Sequence, residues 1–220
     1  MLKLFNDDCI KIMENMESKS VTCTITDIPY DGVNRKSNGL RNLDKGNADI
    51  LTFDLDMFLN EVLRITNGSI YIFCGHNQVS EIYKKFAEEG LSTRVIVWEK
   101  TNPSPMNGQH VWLNGVELCV YAKFKNATFN EHCKNTVFRF PTVRNKNHPT
   151  PKPVKLLEKF VEVSTNEGDT VFDPCMGGGS TGVACISLNR NFIGVELDKN
   201  YFEKNETNFG GIKWEHIMYL

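Results

Sequence analysis

The chain predicts an α/β fold, in which helices alternate with the strands of a mostly parallel, twisted sheet that carries one antiparallel strand. Three observations predict it. Apolar, strand-like runs end repeatedly at polar or glycine residues, amphipathic helical patterns lie between those runs, and one longer strand candidate follows an Asn-Gly turn signal. A length of 220 residues with 40% hydrophobic residues suffices for one domain with a buried sheet and leaves no room for a second full domain.

Taken in order, the run 21–26 ends at Asp27, and 54–65 follows as a helix with Leu55, Phe58, Leu59, Val62 and Leu63 on one face. The strand 70–74 ends at Gly75-His76, a helix is expected over 78–89, and the strand 95–98 ends at Glu99-Lys100. The run 116–124 after Asn114-Gly115 supplies the antiparallel strand. A helix over 154–163, a strand 170–172 ending at Asp173, a helix over 181–188, a strand 192–196 and a short helix from Asp198 complete the pattern. The Asn, Gly, Lys and Arg content of 31–51 and 127–147 predicts loops, and Trp98 and Trp112 are expected to serve as core or loop anchors. A catalytic half of about 1–125, a basic segment of about 126–147 and a cofactor half of about 148–205 follow from this order.

Composition removes several classes of function. No apolar stretch reaches the roughly 18 residues of a membrane span, and acids occupy the N-terminal positions where a signal peptide would be apolar, so a cytoplasmic protein is expected. Seven cysteines without a C-x-x-C pair fit reduced thiols, and His76, His110, His132 and His148 lack metal-ligand spacing, so no metal is expected. The net charge of −2 argues against indiscriminate coating of nucleic acid. Its distribution says more, because six Lys or Arg face one acid between Glu131 and Lys155.

Two loops carry the chemistry. Asp27-Ile28-Pro29-Tyr30 combines an acidic acceptor, a proline-bent backbone and an aromatic face, a set suited to holding a flat polar ring by its amino edge. Phe172-Asp173-Pro174-Cys175-Met176-Gly177-Gly178-Gly179-Ser180-Thr181 is a glycine turn after a strand, suited to a nucleoside-bearing cofactor. Gly177, Gly179 and Gly182 also satisfy G-x-G-x-x-G, with Glu196 near the expected distance for a ribose-binding acid, so a dinucleotide oxidoreductase is a competing reading. Asp173 opposes it, since a carboxylate just before the turn repels a pyrophosphate but suits the cationic ammonium and sulfonium of S-adenosylmethionine. The late position of the turn opposes it as well.

These two motifs resemble those of the amino-group (N6-adenine/N4-cytosine) DNA methyltransferases, which carry a D/N/S-P-P-Y tetrapeptide and an F-x-G-type cofactor loop. His148-Pro149-Thr150-Pro151-Lys152-Pro153 is similar to the segment that this family places against the methionine end of the cofactor. Residues 98–105 are similar to its W-x-K-x-N-P turn, and Asn6-Asp7-Asp8-Cys9 to its G-D-C element. With the tetrapeptide about 145 residues before the cofactor loop, the order resembles the permuted, beta-type group.

The resemblance implies a Rossmann-like, S-adenosylmethionine-dependent enzyme that methylates N6 of adenine in double-stranded DNA, with N4 of cytosine, RNA or a protein amide as alternative acceptors. Asp27 and the carbonyl of Ile28 would accept the amino hydrogens, and Tyr30, beside Pro29, would stack on a flipped base, worth about 1–3 kcal/mol. Ile28 replaces the family's first proline, so looser preorganisation is expected there. Asp8, Cys9, Thr150, Lys152, Asp173, Pro174, Cys175, Gly177, Gly179, Ser180, Thr181 and Glu196 would hold the cofactor, with Thr150 and Lys152 on its carboxylate and Glu196 on its ribose. Arg35, Lys36, Arg41, Lys100, Asn102, Lys134, Arg139, Arg144 and Lys146 are the candidate DNA contacts, and a homodimer is compatible with the group.

The two cofactor readings separate in a thermal-shift measurement. S-adenosylhomocysteine at about a hundredfold excess over its Kd is expected to add ~2.7 kcal/mol and raise Tm by several degrees. NAD is expected to leave Tm unchanged.

Overall fold

The computed structural model describes residues 1–30, 53–105, 110–143, 151–208 and 215–216. Within them the chain runs β1 (Leu2–Phe5), α1 (Cys9–Glu14), β2 (Val21–Asp27), α2 (Leu55–Ile65), β3 (Thr66–Cys74), α3 (Val79–Glu88), β4 (Ser92–Lys100) and β5 (Val116–Lys123). It continues through β6 (Val137–Phe140), α4 (Val154–Ser164), β7 (Thr170–Asp173), α5 (Ser180–Ser187), β8 (Asn191–Val195), α6 (Lys199–Asn208) and β9 (Glu215–His216). The strands form one sheet in the order β6-β4-β5-β3-β2-β7-β8-β1-β9. Every described pairing is parallel except those of β5, which runs against both β3 and β4. One reversed strand in a parallel sheet is what the sequence predicts.

Both faces of the sheet are covered, which explains why the strands read as nearly continuous apolar runs. On β3, Ile70, Ile72 and Cys74 pack toward α1, α2 and α3, whereas Tyr71 and Phe73 pack toward α4 and α5. The Tyr71 ring stacks on Phe160 of α4 at 4.5 Å, and its hydroxyl shares a 2.7 Å hydrogen bond with Ser164. On the opposite side Arg64 of α2 donates to the carbonyls of Met13 and Met16, tying α1 to α2. Local caps set the helix starts: Asp8 accepts from the N–H groups of Ile10 and Lys11, and Asp54 accepts from that of Met57.

Four features depart from the sequence reading. Part of the expected 127–147 loop forms β6, whose Val-Phe-Arg-Phe alternation lets it pair with the open edge of β4. Asn114-Gly115 does not make a two-residue hairpin, because β4 and β5 are joined by 101–115; Gly115 instead closes a tight turn onto the Leu113 carbonyl. Trp98 is buried as expected, its indole N–H on the Phe140 carbonyl, but Trp112 is 98% exposed. The N-terminal strand β1, placed by sequence in the catalytic half, lies beside β8 in the cofactor half.

A bulge between β2 and β3 requires glycine. Val21 pairs with Thr66 but Cys23 pairs with Ser69, so β3 carries one extra residue at Asn67-Gly68. A Cβ on Gly68 would lie 2.1 Å from the Thr22 carbonyl oxygen. Gly68→Ala is therefore expected to destabilise the protein by about 2–3 kcal/mol, measured by urea unfolding.

Candidate active site

The period of a strand decides which side chains meet here. Along β2, Cys23, Ile25 and Asp27 share the face toward α4; along β3 Phe73 does so, and along reversed β5 the run Tyr121, Cys119, Glu117 does so. Because β5 runs backwards, its first residues lie at the edge where β2 and β3 end. Asp27 and Phe73 thus stand side by side at that edge, with Glu117 on the same face one pleat beyond Cys119, the partner of Phe73, and Lys152, just before the start of α4, closes over them.

Lys152 is 9% exposed, and its ammonium donates to Asp27 Oδ2, to Glu117 Oε2 at 3.0 Å and to the Tyr30 hydroxyl oxygen at 3.3 Å. Lys100 from β4 pairs with the other Glu117 oxygen at 2.9 Å, and the Tyr30 hydroxyl donates to Glu117 Oε2 at 3.2 Å. Charges alternate along the row as Lys100, Glu117, Lys152, Asp27. Burial alone would raise the Glu117 carboxyl, but Lys152 and Lys100 outweigh it and hold it down at about 2. Burial opposes the Lys152 ammonium, yet Asp27 and Glu117 outweigh that too and raise its pKa. Asp27 is left raised, because its burial and the nearby Glu117 charge exceed what Lys152 returns.

Asp27 keeps capacity for a further donor. Its Oδ1 has no hydrogen-bond partner among the described residues, while its side chain as a whole is 33% exposed. Ile28 is restrained differently from the proline it replaces: its N–H donates to the Phe73 carbonyl at 3.2 Å and its side chain is buried among the residues under α1, α2 and α3. A proline could not make that bond, so the looser preorganisation expected from sequence is offset. Pro29 is fixed through Gln78, whose amide donates to the Pro29 carbonyl at 3.1 Å and accepts from Gly75 N–H at 2.8 Å.

The glycine loop begins one strand away, since β7 is the neighbour of β2. Gly177 (φ 49°) and Gly179 (φ 74°) adopt the left-handed backbone, and Gly179 caps α5, which Ser180 and the buried Thr181 open. Glu196, just past β8, accepts from Gly177 N–H at 2.9 Å through one oxygen and from Asp198 N–H at 2.8 Å through the other. Burial raises its pKa despite these bonds. Asp173 is buried beside buried Pro174 and accepts from Cys175 N–H at 3.2 Å; burial pushes its carboxyl up to about 7, against the lowering effect of Thr181.

Other predicted residues are placed as follows. Asp8 caps α1, and Cys9 packs against Cys175, whose thiol is raised first by its hydrogen bond to Cys9 and then by burial. Lys152, expected toward the cofactor's carboxylate, has its ammonium on Asp27 and Glu117 instead, because the reversed strand brings a second acid within reach. Lys100, expected on DNA, is likewise engaged by Glu117. Asn102 pins the Thr142 backbone, accepting from its N–H at 2.6 Å. Lys134 and Arg139 are exposed and pair with Glu131 and Glu99. Arg35, Lys36, Arg41, Arg144, Lys146 and Thr150 lie outside the described residues. Glu117 was missed by sequence reasoning; the available signal was a single acid in the otherwise apolar Val116–Tyr121 stretch, following a basic strand end.

The profile of one protein family, described as DNA methylase, matches residues 21–207. The chain belongs to this DNA methylase family. Among its relatives, type II methyltransferase M.HpaI of Haemophilus parainfluenzae is 31% identical over 229 residues, covering 91% of this chain and 72% of that one. Type II methyltransferase M2.DpnII of Streptococcus pneumoniae is 28% identical over 246 residues, covering 93% and 91%. The crystal structure of the M1.HpyAVI–SAM complex superposes with a TM-score of 0.72 at 28% identity, over 94% of this chain and 100% of that one. The methylase fold therefore extends over nearly all of the chain.

The Asp173 carboxyl sets a pH dependence. Its folded pKa of about 7 lies above the usual 3.8, so the folded state binds the extra proton, and this group's contribution to stability falls as pH rises from about 4 to 7. Glu117 acts in a lower window, its contribution being lost as pH falls from about 4.5 toward 2. In urea unfolding across a pH series, Asp173→Asn is expected to flatten the decline between pH 4 and 7.

Proposed function

We propose that this DNA methylase transfers a methyl group to the exocyclic N6 amino group of adenine in double-stranded DNA, acting on a base flipped out of the helix. The observation that carries the reading is the edge of β2. There a partly exposed carboxylate, short of one hydrogen-bond donor, stands beside a tyrosine ring and one strand from the glycine loop.

S-adenosylmethionine is the methyl donor of this enzyme, supplying an electrophilic methyl group on a sulfonium centre. The residues present fit it. Gly177 and Gly179 allow close backbone approach, and Glu196 accepts from the Gly177 N–H on one oxygen and the Asp198 N–H on the other, each oxygen having a second lone pair that can face a ribose hydroxyl. Asp173, a buried acid with a raised pKa, gains a favourable partner in a cationic ammonium. The proximity of β2 and β7 brings acceptor and donor sites together, which supplies the orientation that such a transfer needs.

The acceptor's difficulty is electronic, because the lone pair of an exocyclic amino group is delocalised into its ring. Asp27 and the Ile28 carbonyl accept its two hydrogens and draw the nitrogen toward tetrahedral geometry. The Tyr30 ring, its hydroxyl tied to Glu117, offers a fixed stacking face. Aspartate at the first position of the tetrapeptide favours adenine over cytosine. The tetrapeptide precedes the cofactor loop, as in the permuted group. A single domain, a cytoplasmic location and assembly as a homodimer accord with this reading.

The expected outcome is N6-methyladenine in plasmid DNA from a methylation-deficient host expressing the chain, detected by nucleoside mass spectrometry. Asp27→Ala is expected to lose at least 99% of it. Methylcytosine would redirect the reading to N4, and DNA free of modified bases would sink it.

A further inference from the structure

Lys152 is held from three sides by groups that together occupy it fully. An ammonium has three hydrogens, and three acceptors surround this one: Asp27 at the end of β2, Glu117 at the start of β5, and the Tyr30 hydroxyl. The Phe73 ring centroid of β3 lies 5.1 Å away and that of Tyr30 at 5.5 Å, so aromatic faces line the rest of its surroundings. Pro151 and Pro153 flank Lys152 and restrict the backbone that delivers it. The charged and titratable groups around this centre are Lys100 on the far oxygen of Glu117, the Cys74 and Cys119 thiols, and Asp173 across β2.

Two consequences follow from this placement. With all three hydrogens engaged, Lys152 has none left for a cofactor carboxylate in this arrangement. Its grip on one oxygen of Asp27 also limits rotation of that carboxylate. Glu117 meets Lys152, Lys100 and Tyr30.

We propose that Lys152 is a positioning residue for the methyl transfer: its ammonium, anchored by Glu117, fixes the orientation in which the Asp27 carboxylate meets the target amino group. The assignment rests on the amino-methyltransferase reading given above. Removing the ammonium while keeping the stem, as in Lys152→Met, frees the Asp27 carboxylate and leaves it near Glu117 with no cation between them. Asp27 then takes up a proton at higher pH, and the protonated acid is a poor acceptor for an amino hydrogen.

The test is single-turnover methylation of unmodified duplex DNA across pH, with 13C carboxyl NMR of Asp27 and calorimetric affinity for S-adenosylhomocysteine measured on the same proteins. Lys152→Met is expected to slow transfer at least tenfold at neutral pH and to move both the acid limb of the rate profile and the Asp27 titration to higher pH. Its affinity for S-adenosylhomocysteine is expected to stay within threefold, and Lys152→Arg to restore most of the acid limb. Glu117→Gln is expected to slow transfer severalfold without weakening S-adenosylhomocysteine. The double variant Lys152→Met/Glu117→Gln removes the like-charged pair, so that a folded protein lacking the ammonium is available, and it is expected to remain slow.

If Lys152→Met keeps the wild-type acid limb and Asp27 titration but loses tenfold or more in affinity for S-adenosylhomocysteine, Lys152 belongs to the cofactor site and the proposal is overturned. A folded double variant that transfers at the wild-type rate overturns it equally. Both outcomes leave methylation of DNA by the wild type intact, whereas failure of the wild type to methylate DNA strikes the underlying reading and takes this proposal with it.

Discussion

An ammonium buried at the edge of a sheet must be neutralised, and much of the site is arranged around that constraint. Lys152 needs acids on both sides, and the fold supplies them from strands of opposite direction, β2 ending at Asp27 and β5 beginning near Glu117. Desolvating such ions costs several kcal/mol each, and deleting one partner of a buried pair costs about 3–5 kcal/mol. The row therefore stands or falls as a unit. Lys100 at one end and Asp27 at the other make the array neutral overall, and the buried Oδ1 of Asp27 is an acceptor left without a partner among the described residues.

Strand periodicity explains why this array could be only half foreseen. The tetrapeptide and the glycine turn announce themselves because their residues are contiguous, and Glu196 because it stands at a regular spacing from that turn. Asp27, Gly177, Gly179 and Glu196 could be picked out as candidates for that reason. β5 was legible as a strand from its length and apolar content, whereas its reversed direction was read from an Asn114-Gly115 hairpin signal that the fold does not use. Glu117 was not, because its role depends on which strand becomes the neighbour of β3 and in which direction it runs. Lys152 was legible as a site residue but not in its partner, since the choice between a cofactor carboxylate and Asp27 is made by tertiary geometry. The short strand β6 escaped because a four-residue alternation carries little signal until an open sheet edge is available to pair with it.

The two halves of the site use buried acids in opposite ways. Glu117 sits between two cations and is held at about 2, ionised under all ordinary conditions. Asp173 rises to about 7 because burial outweighs its bonds from Thr181 and the Cys175 N–H, so its charge state responds to whatever binds beside it. The first arrangement fixes geometry and the second leaves an unmet electrostatic demand that a cationic ligand meets. Similar carboxyl groups, on strands three places apart in the sheet, thus differ in charge state through their surroundings alone.

The place of β1 has a kinetic consequence. It is the first strand of the chain, yet its partners are β8 and β9, and the terminal amine donates to Asn191. Asn6 likewise reaches the carbonyls of Glu196 and Leu197, some 190 residues away in sequence. Contacts of such separation carry a large loop-closure cost and are formed late. During synthesis β1 must wait, unpaired, until β8 has been made. The β2–β3–β5–β4 portion, by contrast, closes between strands of nearer sequence and can assemble first. The corner at Glu196 is then completed only when β1 pairs with β8, so a cofactor held there would report a fully assembled sheet.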